Sequence, residues 1–237
     1  MHALVLGEGA RNLIILHGFL RMGDNWKTHA NQWVAQGWRV HLIDQRNHGR
    51  SFWSSSFNYA LLAEDIHQYF SDNALESATL LGHSMGGKVA MLFACLYPEK
   101  VNQLIVADIA PKTYPSHHQT ILSGLASLDF SDIKSRKEAD EALAIHVKDM
   151  GTRQFLLKNI YRVTPNQRGL RMNIDVLKNV SEQIGDTMAK TQRYHGETLF
   201  LKGAMSGYIE EQDEFAIKHH FPRAKIVTIE RAGHWLH

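Results

Sequence analysis

Cysteine is nearly absent from this sequence, since Cys95 is the only one among 237 residues. An internal disulfide is therefore excluded, and a reducing cytoplasm is the default expectation for its location. Long apolar runs are missing too, because no stretch approaches the ~18 residues that a membrane span needs. The start, MHALVLGEGA, lacks the charged region and the long apolar region of a signal peptide. These absences predict a protein without membrane contact.

A strong charge of one sign is also missing. The formal net charge is +2 at pH 7, which argues against general nucleic-acid binding, because that function usually brings a large basic excess. Hydrophobic residues make up 44% of the chain and charged residues 21%, as in globular proteins. The length fits one large domain, or a core with an insertion.

Short apolar runs alternate with helical patterns along most of the chain. Strand–helix alternation predicts a parallel sheet covered by helices on both faces. Strands are predicted at 12–16, 38–44, 78–83, 101–108, 197–203 and 224–230, and helices at 24–36, 59–71, 85–97 and about 209–219.

The alternation is interrupted between Lys112 and about His195, where we find helical patterns and no convincing strand. A helical insertion between two strands of a sheet predicts a lid or cap. The expected division is a core of 1–111 and 196–237 with a cap of 112–195. Part of the cap is rich in basic residues without a carboxylate: Arg153, Lys158, Arg162, Arg168 and Arg171.

The strand at 78–83 runs into GHSMGG, which contains the pattern G-x-S-x-G. A sharp turn from strand to helix holds such a serine in strained geometry and exposes its hydroxyl, and the flanking positions must lack side chains. The pattern alone is common by chance, but here it follows an apolar strand and precedes an amphipathic helix. Ser84 is therefore the candidate nucleophile, against the alternative of a plain glycine-rich turn.

Two backbone N–H groups are candidates for an oxyanion hole. Met85 begins the helix after Ser84, where the first N–H groups lack helical partners. The turn LHGFL follows the first predicted strand, and the N–H of Phe19 is placed to supply the second donor. An ordinary strand-ending turn is the alternative interpretation of that segment.

A serine hydroxyl needs a base within hydrogen-bond reach. The chain has 15 histidines, so position must decide, and in enzymes with this serine turn the base follows the last strand. His234 lies there, in RAGHWLH. The adjacent pairs His117–His118 and His219–His220 are interpreted as surface residues, and no ligand set is spaced for a metal, so no metal or cofactor is expected.

Together HGFL, DQRNHGRS, GHSMGG, ADIAP and AGHW resemble the small α/β-hydrolase esterases of the YbfF type. The resemblance covers the whole chain and implies an α/β-hydrolase fold with a mostly parallel central sheet, flanking helices and an inserted helical cap. DQRNHGRS (44–51) matches a family turn, whose Asp44, Asn47 and His48 we interpret as loop scaffolding. The resembled enzymes carry a further helix after the histidine loop, so either the natural chain continues past His237 or one sheet face is less covered.

The triad acid departs from the usual pattern. Most α/β-hydrolases place it after the strand at 197–203, but GAMSGYI follows here without a carboxylate. The resembled enzymes instead take the acid from the end of the preceding strand, where Asp108 stands in the apolar run LIVADIAP. Some also use a serine at the position of Ser206. The resemblance thus implies Asp108 as the acid and Ser206 as a helper; a strand-end capping carboxylate is the alternative for Asp108.

The function that follows is hydrolysis of small carboxylic esters through an acyl-enzyme. An acyl-CoA thioesterase is one alternative, and the basic stretch of the cap would suit its phosphates, although a solvated helical surface is the favoured interpretation of that stretch, because Lys and Arg are mostly exposed. Lactone opening, carbon–carbon bond hydrolysis and perhydrolysis are further serine-hydrolase alternatives. A non-catalytic binding protein on this fold is the alternative from another class. The expected partner is a small ester or thioester.

Overall fold

The computed structural model describes residues 1–116, 118–165 and 167–236. The strands are β1 (Ala3–Leu6), β2 (Arg11–Leu16), β3 (Trp38–Ile43), β4 (Ala78–His83), β5 (Val101–Ala107), β6 (Ile160–Thr164), β7 (Gln167–Leu170), β8 (Thr198–Gly203) and β9 (Ala224–Ile229). Within these residues one 7-stranded sheet has the order β1-β3-β2-β4-β5-β8-β9. Only the β1–β3 pairing in this sheet is antiparallel. The prediction of a mostly parallel sheet is confirmed, and β1 is a strand that the sequence did not reveal.

The sheet is flanked by helices, as predicted. The α-helices are α1 (Lys27–Val34), α2 (Tyr59–Asp72), α3 (Met85–Leu96), α4 (Gln119–Ala126), α5 (Arg136–Ala144), α6 (Met150–Leu156), α7 (Ile174–Asn179) and α8 (Asp213–His220). Two boundaries differ from expectation. The helix predicted over 24–36 opens with a 3₁₀ turn at Gly23–Trp26, and the one predicted near 209–219 begins only at Asp213.

β4 lies inside the sheet, with β2 on one side and β5 on the other. All six of its residues are buried, which explains why ATLLGH is apolar over most of its length. The following helix, α3, buries Val89, Met91 and Phe93 against the core. The carboxyl ends of β4, β5 and β8 therefore meet at one edge of the sheet, under the inserted segment.

The segment between β5 and β8 contains α4, α5, α6 and α7, but it is not wholly helical. β6 and β7 form an antiparallel pair in which Ile160 is opposite Leu170 and Arg162 opposite Arg168. The expectation of no strand over 112–195 was therefore wrong. The burial pattern explains the miss, because most of these residues are exposed or half-buried, so neither strand carries the apolar alternation that identifies a strand in a sequence.

No helix in the described ranges is both long enough and apolar enough to cross a membrane.

Candidate active site

The turn between β4 and α3 places Ser84 in an uncommon backbone conformation, with φ +53° and ψ −120°. Such geometry costs free energy in an L-residue and occurs mostly at functional sites. A Cβ on Gly82 would lie 2.2 Å from the carbonyl oxygen of Gly86. A Cβ on Gly86 would lie 2.3 Å from the carbonyl oxygen of Leu16. Both glycines are thus demanded by close backbone packing, which is the steric reason for the G-x-S-x-G pattern.

Asp108 stands beside this turn because of strand register. His83 of β4 is paired with Ala107 of β5, so the residues that follow, Ser84 and Asp108, leave neighbouring strands at the same level. Both residues have a positive φ, which is +53° for Ser84 and +50° for Asp108. The N–H of Ser84 donates to the carbonyl of Ala107 over 3.1 Å. The nucleophile candidate and the acid candidate are thereby held by one strand pair.

The carboxylate of Asp108 is completely buried and receives three hydrogen bonds. Its Oδ1 accepts from the N–H of Gly203 at 2.9 Å. Its Oδ2 accepts from Nδ1 of His234 at 2.8 Å and from the hydroxyl of Ser206. A buried carboxylate is costly unless it is paired in this way. The structure therefore brings Asp108, Ser206 and His234 into one network.

The protonation pattern of His234 follows from its partner. A carboxylate only accepts hydrogen bonds, so Nδ1 of His234 carries the proton and Nε2 is left as a base. Ser84 and His234 line the same cavity. Among the described residues no hydrogen bond joins the Ser84 hydroxyl to His234, and contacts of this kind commonly tighten only when substrate is bound.

Tyr208 is a residue of the site that the sequence did not reveal. Its ring stacks on the imidazole of His234, with 3.8 Å between ring centroids and 16° between planes. Its N–H donates to Ser206 Oγ at 3.2 Å, and its carbonyl accepts from the hydroxyl of Tyr114 at 2.5 Å. That same hydroxyl accepts from the N–H of Ala110 at 2.8 Å. Tyr208 thus fixes the plane of the His234 ring, and Tyr114 ties Tyr208 to the segment that follows Asp108.

The loop that contains Phe19 lies against the serine turn. A Cβ on Gly18 would come within 2.9 Å of His83 Nδ1 and 3.3 Å of Ser84 Cβ, so only glycine allows this close approach. Met85 is the first residue of α3. The segment of Gly18 and Phe19 and the start of α3 at Met85 therefore both lie next to Ser84.

Two buried histidines support this loop. His17 accepts from the N–H of Gln45 at 3.0 Å, and its Nδ1 donates to the carbonyl of Gly18 at 2.8 Å. His48 accepts from the N–H of Leu20 at 3.3 Å, and its Nδ1 donates to the carbonyl of Arg46 at 2.9 Å. Burial lowers the pKa of His17 to about 4 and that of His48 to about 3. Both rings are neutral at pH 7, as their donor–acceptor roles require.

Side chains of the turn DQRNHGRS accept hydrogen bonds from backbone N–H groups of the turn and of neighbouring segments. Asp44 accepts from the N–H of Gly23 at 2.7 Å and from that of Arg50 at 2.9 Å. Asn47 accepts from the N–H of Ser54 at 2.8 Å. With His48 bonded to Leu20, these contacts agree with the scaffolding role that the sequence suggested for Asp44, Asn47 and His48.

Two cavities meet at Ser84. The larger, ≈170 Å³, is lined mainly by apolar side chains and also by His234: Phe19, Leu20, Ile121, Phe155, Leu156 and Trp235. The smaller, ≈20 Å³, lies on the Met85 side and reaches Ile109, Ile184 and Lys88. Ser84, His118 and Tyr208 line both. His118, expected at the surface, therefore borders the site, while its neighbour His117 lies outside the described residues.

The interpretation of His219 and His220 as surface residues was also wrong for one of the two. His220 is buried, and its Nδ1 is 2.7 Å from the carbonyl of Gln192, so it is not a surface residue. His219 is half-buried, with Nε2 2.9 Å from the carbonyl of Lys190. A search of the described residues for groups of His, Cys, Asp and Glu able to hold a metal ion found none.

Lys88 is a second residue of the site that we did not foresee. It belongs to α3, only four positions after Ser84, and its ammonium donates to the carbonyls of Lys112 at 3.0 Å, Gly185 at 2.8 Å and Asp186. Burial lowers its pKa to about 8. The sequence did carry a sign of this role, because Lys88 is the one charged residue of the apolar helix α3, as Asp108 is the one charged residue of LIVADIAP.

The basic side chains between Arg153 and Arg171 partly make contacts within the inserted segment itself. Arg153 pairs with Asp140 at 2.7 Å, and Arg168 donates to the carbonyl of Lys134 at 2.7 Å. Arg171 lies over the ring of Tyr161, 4.8 Å from its centroid. These contacts weaken the argument that the stretch is a binding surface for phosphates.

Comparisons with known proteins agree with this architecture. The family model described as alpha/beta hydrolase fold matches residues 11–237. The sn-1-specific diacylglycerol lipase ABHD11 of Mus musculus is 35% identical over 232 residues, 95% of this chain and 75% of its own length. Esterase YbfF of Escherichia coli is 30% identical over 226 residues, 95% of this chain and 86% of its own.

A solved structure is more similar still. It is a marine microorganism esterase that is 42% identical, with a TM-score of 0.95, and the match covers 100% of this chain and 93% of that one. With the sheet order, the serine turn and the matched family model all in agreement, the chain belongs to the alpha/beta hydrolase fold family.

Proposed function

We propose that this carboxylic ester hydrolase cleaves small carboxylic esters through an acyl-enzyme on Ser84. The hydrogen bond between Asp108 Oδ2 and His234 Nδ1 carries the proposal, because it leaves Nε2 as the free base in the cavity that Ser84 also lines. The named activities of the relatives, an esterase and a lipase among them, support ester substrates.

The first half of the reaction acylates the serine. His234 Nε2 takes the proton of the Ser84 hydroxyl as Oγ attacks the ester carbonyl. The N–H groups of Phe19 and Met85 donate to the oxyanion, and a single donor of this kind is typically worth ~10²–10³ in kcat. His234 then gives the proton to the leaving alcohol, and the acyl group remains on Ser84. In the second half His234 deprotonates a water, and the water oxygen attacks the acyl carbonyl. The bond to Ser84 Oγ then breaks, Oγ takes the proton back from His234, and the acid is released.

Asp108 and Ser206 act through the base. The Asp108 carboxylate holds the tautomer of His234 and stabilises the imidazolium that forms while the proton is on the ring. Ser206 donates to the same carboxylate oxygen, which fixes the direction of that oxygen toward the ring. Ser206 is therefore a positioning residue.

The insertion acts as a cap in this proposal. Residues 1–111 and 196–237 form the hydrolase core, and residues 112–195 cover its catalytic edge. His118, Ile121, Phe155 and Leu156 of the insertion line the cavities at Ser84, so the cap supplies surface that contacts substrate.

The test is covalent labelling by a fluorophosphonate probe, followed by mass spectrometry of the labelled peptide. We expect one label, on Ser84. The rate of p-nitrophenyl acetate hydrolysis should fall in proportion to the fraction of enzyme that is labelled. Ser84→Ala should abolish both, with kcat reduced by ~10⁶ and an unchanged melting temperature. Ser71→Ala on the exposed side of α2 is the matched control and should behave as the wild type. A label that persists in Ser84→Ala would refute the assignment.

A further inference from the structure

The two cavities at Ser84 differ in size, and this difference suggests which half of an ester each one takes. The cavity on the His234 side is ≈170 Å³ and the one on the Met85 side is ≈20 Å³. An apolar cavity of about 150 Å³ holds a benzene molecule, whereas one of about 10–15 Å³ holds a single water. The first therefore has room for a ring-sized group, and the second for about a methyl group.

The direction of the ester follows from the proton transfer. The alcohol oxygen must receive its proton from His234, so the alcohol has to leave on the side where His234 stands. His234 lines the large cavity. Among the described residues Ser84 and Met85, the proposed oxyanion donor, line the small cavity, and His234 does not. The acyl chain therefore points into the small cavity and the alcohol into the large one.

The end of the small cavity is a hydrogen-bonded wall. Lys88 donates to the carbonyls of Gly185 and Asp186, near the C-terminal end of the segment 112–195. Tyr59 donates to the carbonyl of Ile184 at 2.7 Å. The ammonium of Lys88 has three N–H donors, and the carbonyl of Lys112 accepts from the third. Because moving this wall would leave buried polar groups without partners, it resists displacement by a longer acyl chain.

A separate, larger cavity lies on the other side of this wall. A cavity of ≈220 Å³ shares Lys88 and Tyr59 with the small cavity and extends to Leu92, Met188 and Gln192. A long acyl chain could be housed there only if the wall opened. The wall, and not a shortage of space in the fold, sets the limit on acyl length.

We propose, resting on the proposed function, that this enzyme selects esters of short acids, acetyl or propionyl, with bulky apolar alcohols. The limit is imposed by Ile184, Lys88 and Tyr59 on the acyl side. Phe155, Leu156 and Trp235 accept the alcohol on the other side.

The experiment uses two isomeric esters that reverse the two halves. Benzyl acetate places the ring on the alcohol, and methyl phenylacetate places it on the acid, with the same atoms and comparably acidic alcohols. We expect kcat/KM to favour benzyl acetate by at least ~tenfold, since one misfitted methylene is worth ~10–200-fold. A ratio near one, or a reversed ratio, while Ser84 is still labelled and required, would overturn this inference and leave the proposed function standing. Hydrolysis that does not require Ser84 would overturn both.

Two truncations of the same residue type sharpen the result. Ile184→Ala enlarges the small cavity and should shift the ratio toward methyl phenylacetate by ~tenfold. Ile121→Ala enlarges the large cavity and should give no shift in that direction. Equal shifts in both variants would contradict the assignment of the acyl side. If Ile184→Ala fails to fold, the wild-type ratio alone decides.

Discussion

The proposed core (1–111 and 196–237) and the proposed cap (112–195) contribute to this site in different ways. The core fixes Ser84 and Asp108 through strand register and backbone turns, and it holds His234 by hydrogen bonds at 2.8 Å on both its ring and its carbonyl. The cap contributes mostly lining side chains, and it is tied to the core by bonds such as those from Lys88 and Tyr59. In the function proposed above, the core therefore supplies the groups that handle the proton, and core and cap together set the size of the substrate.

The comparison also separates two kinds of mutation. Changes at the carboxyl ends of the core strands should alter kcat, because they disturb groups that handle the proton. Changes at the cap contacts should alter stability or substrate choice, because no cap residue in the described ranges makes a hydrogen bond to His234 or the Asp108 carboxylate. Each prediction below tests one side of this division.

After Ser84→Ala, the largest effect is expected at Asp108, the proposed acid. In Asp108→Asn an amide replaces one carboxylate oxygen, and an NH₂ group facing His234 would favour the wrong tautomer of the ring. We expect kcat for p-nitrophenyl acetate to fall by ~10⁴ with the fold intact by circular dichroism. Ser206→Ala, the neighbouring control, keeps the carboxylate and should lose only ~tenfold. Near-wild-type turnover by Asp108→Asn would show that the acid lies elsewhere.

Acid should destabilise the core through His17 and His48. An unfolded histidine binds a proton below about pH 6.5, whereas burial holds the pKa of His17 at about 4 and that of His48 at about 3. Between these values the unfolded chain binds more protons, so the free energy of unfolding decreases as the pH falls from about 6.5 toward 4. The expected slope is on the order of 1 kcal/mol per pH unit for each histidine.

Urea unfolding at a series of pH values measures this slope. His48→Gln removes one of the two titrations and should make the dependence on pH shallower between pH 6 and pH 4.5. An unchanged slope in that variant would mean that His48 is not the group responsible. Above about pH 6.5 neither histidine should contribute.

Loss of the Lys88 contacts should loosen the cap. Lys88→Met keeps an unbranched side chain one atom shorter than lysine but leaves three carbonyls without their donor, which should cost about 1–3 kcal/mol. A lower melting temperature and faster protease cleavage within 112–195 are expected. Lys178→Met, at an exposed position of α7, is the control in the cap. Cleavage that is unchanged in Lys88→Met would show that other contacts hold the cap.

The smallest effect is expected at Tyr208. Tyr208→Leu removes the ring that stacks on His234 and should lower kcat by ~tenfold, because a misoriented base transfers its proton less often. Tyr208→Phe keeps the ring and should restore kcat. Both kcat and KM should be measured, since a purely substrate-binding role would raise KM and leave kcat unchanged.

Much of the core could be predicted from the sequence, because its signals are local. The apolar run ATLLGH predicted both ends of β4 correctly. The glycines of GHSMGG predicted the serine turn, because its close backbone packing leaves no room for side chains there. The α/β-hydrolase fold and the mostly parallel sheet were predicted correctly. The placement of Asp108 could be suspected from one charge in an apolar run together with a missing carboxylate after β8.

The cap and the packing around the base could not be predicted in the same way. β6 and β7 are too exposed to show an apolar alternation, and β1 is short and only half-buried. The contact of Tyr208 with His234 joins two loops that are distant in sequence, and no spacing rule connects them. Such contacts arise from tertiary packing and become visible only when the strands are assembled.

The pairing of His83 with Ala107 makes Ser84 and Asp108 a single mechanical unit. Their separation is set by one strand pair and its hydrogen bonds, while Ser206 and His234 arrive on loops from two other strands. A protein engineer could therefore exchange the loops after β8 and β9, or replace the segment 112–195, without changing the spacing of Ser84 and Asp108. Any graft that preserves the β4–β5 register carries the proposed nucleophile and the proposed acid with it.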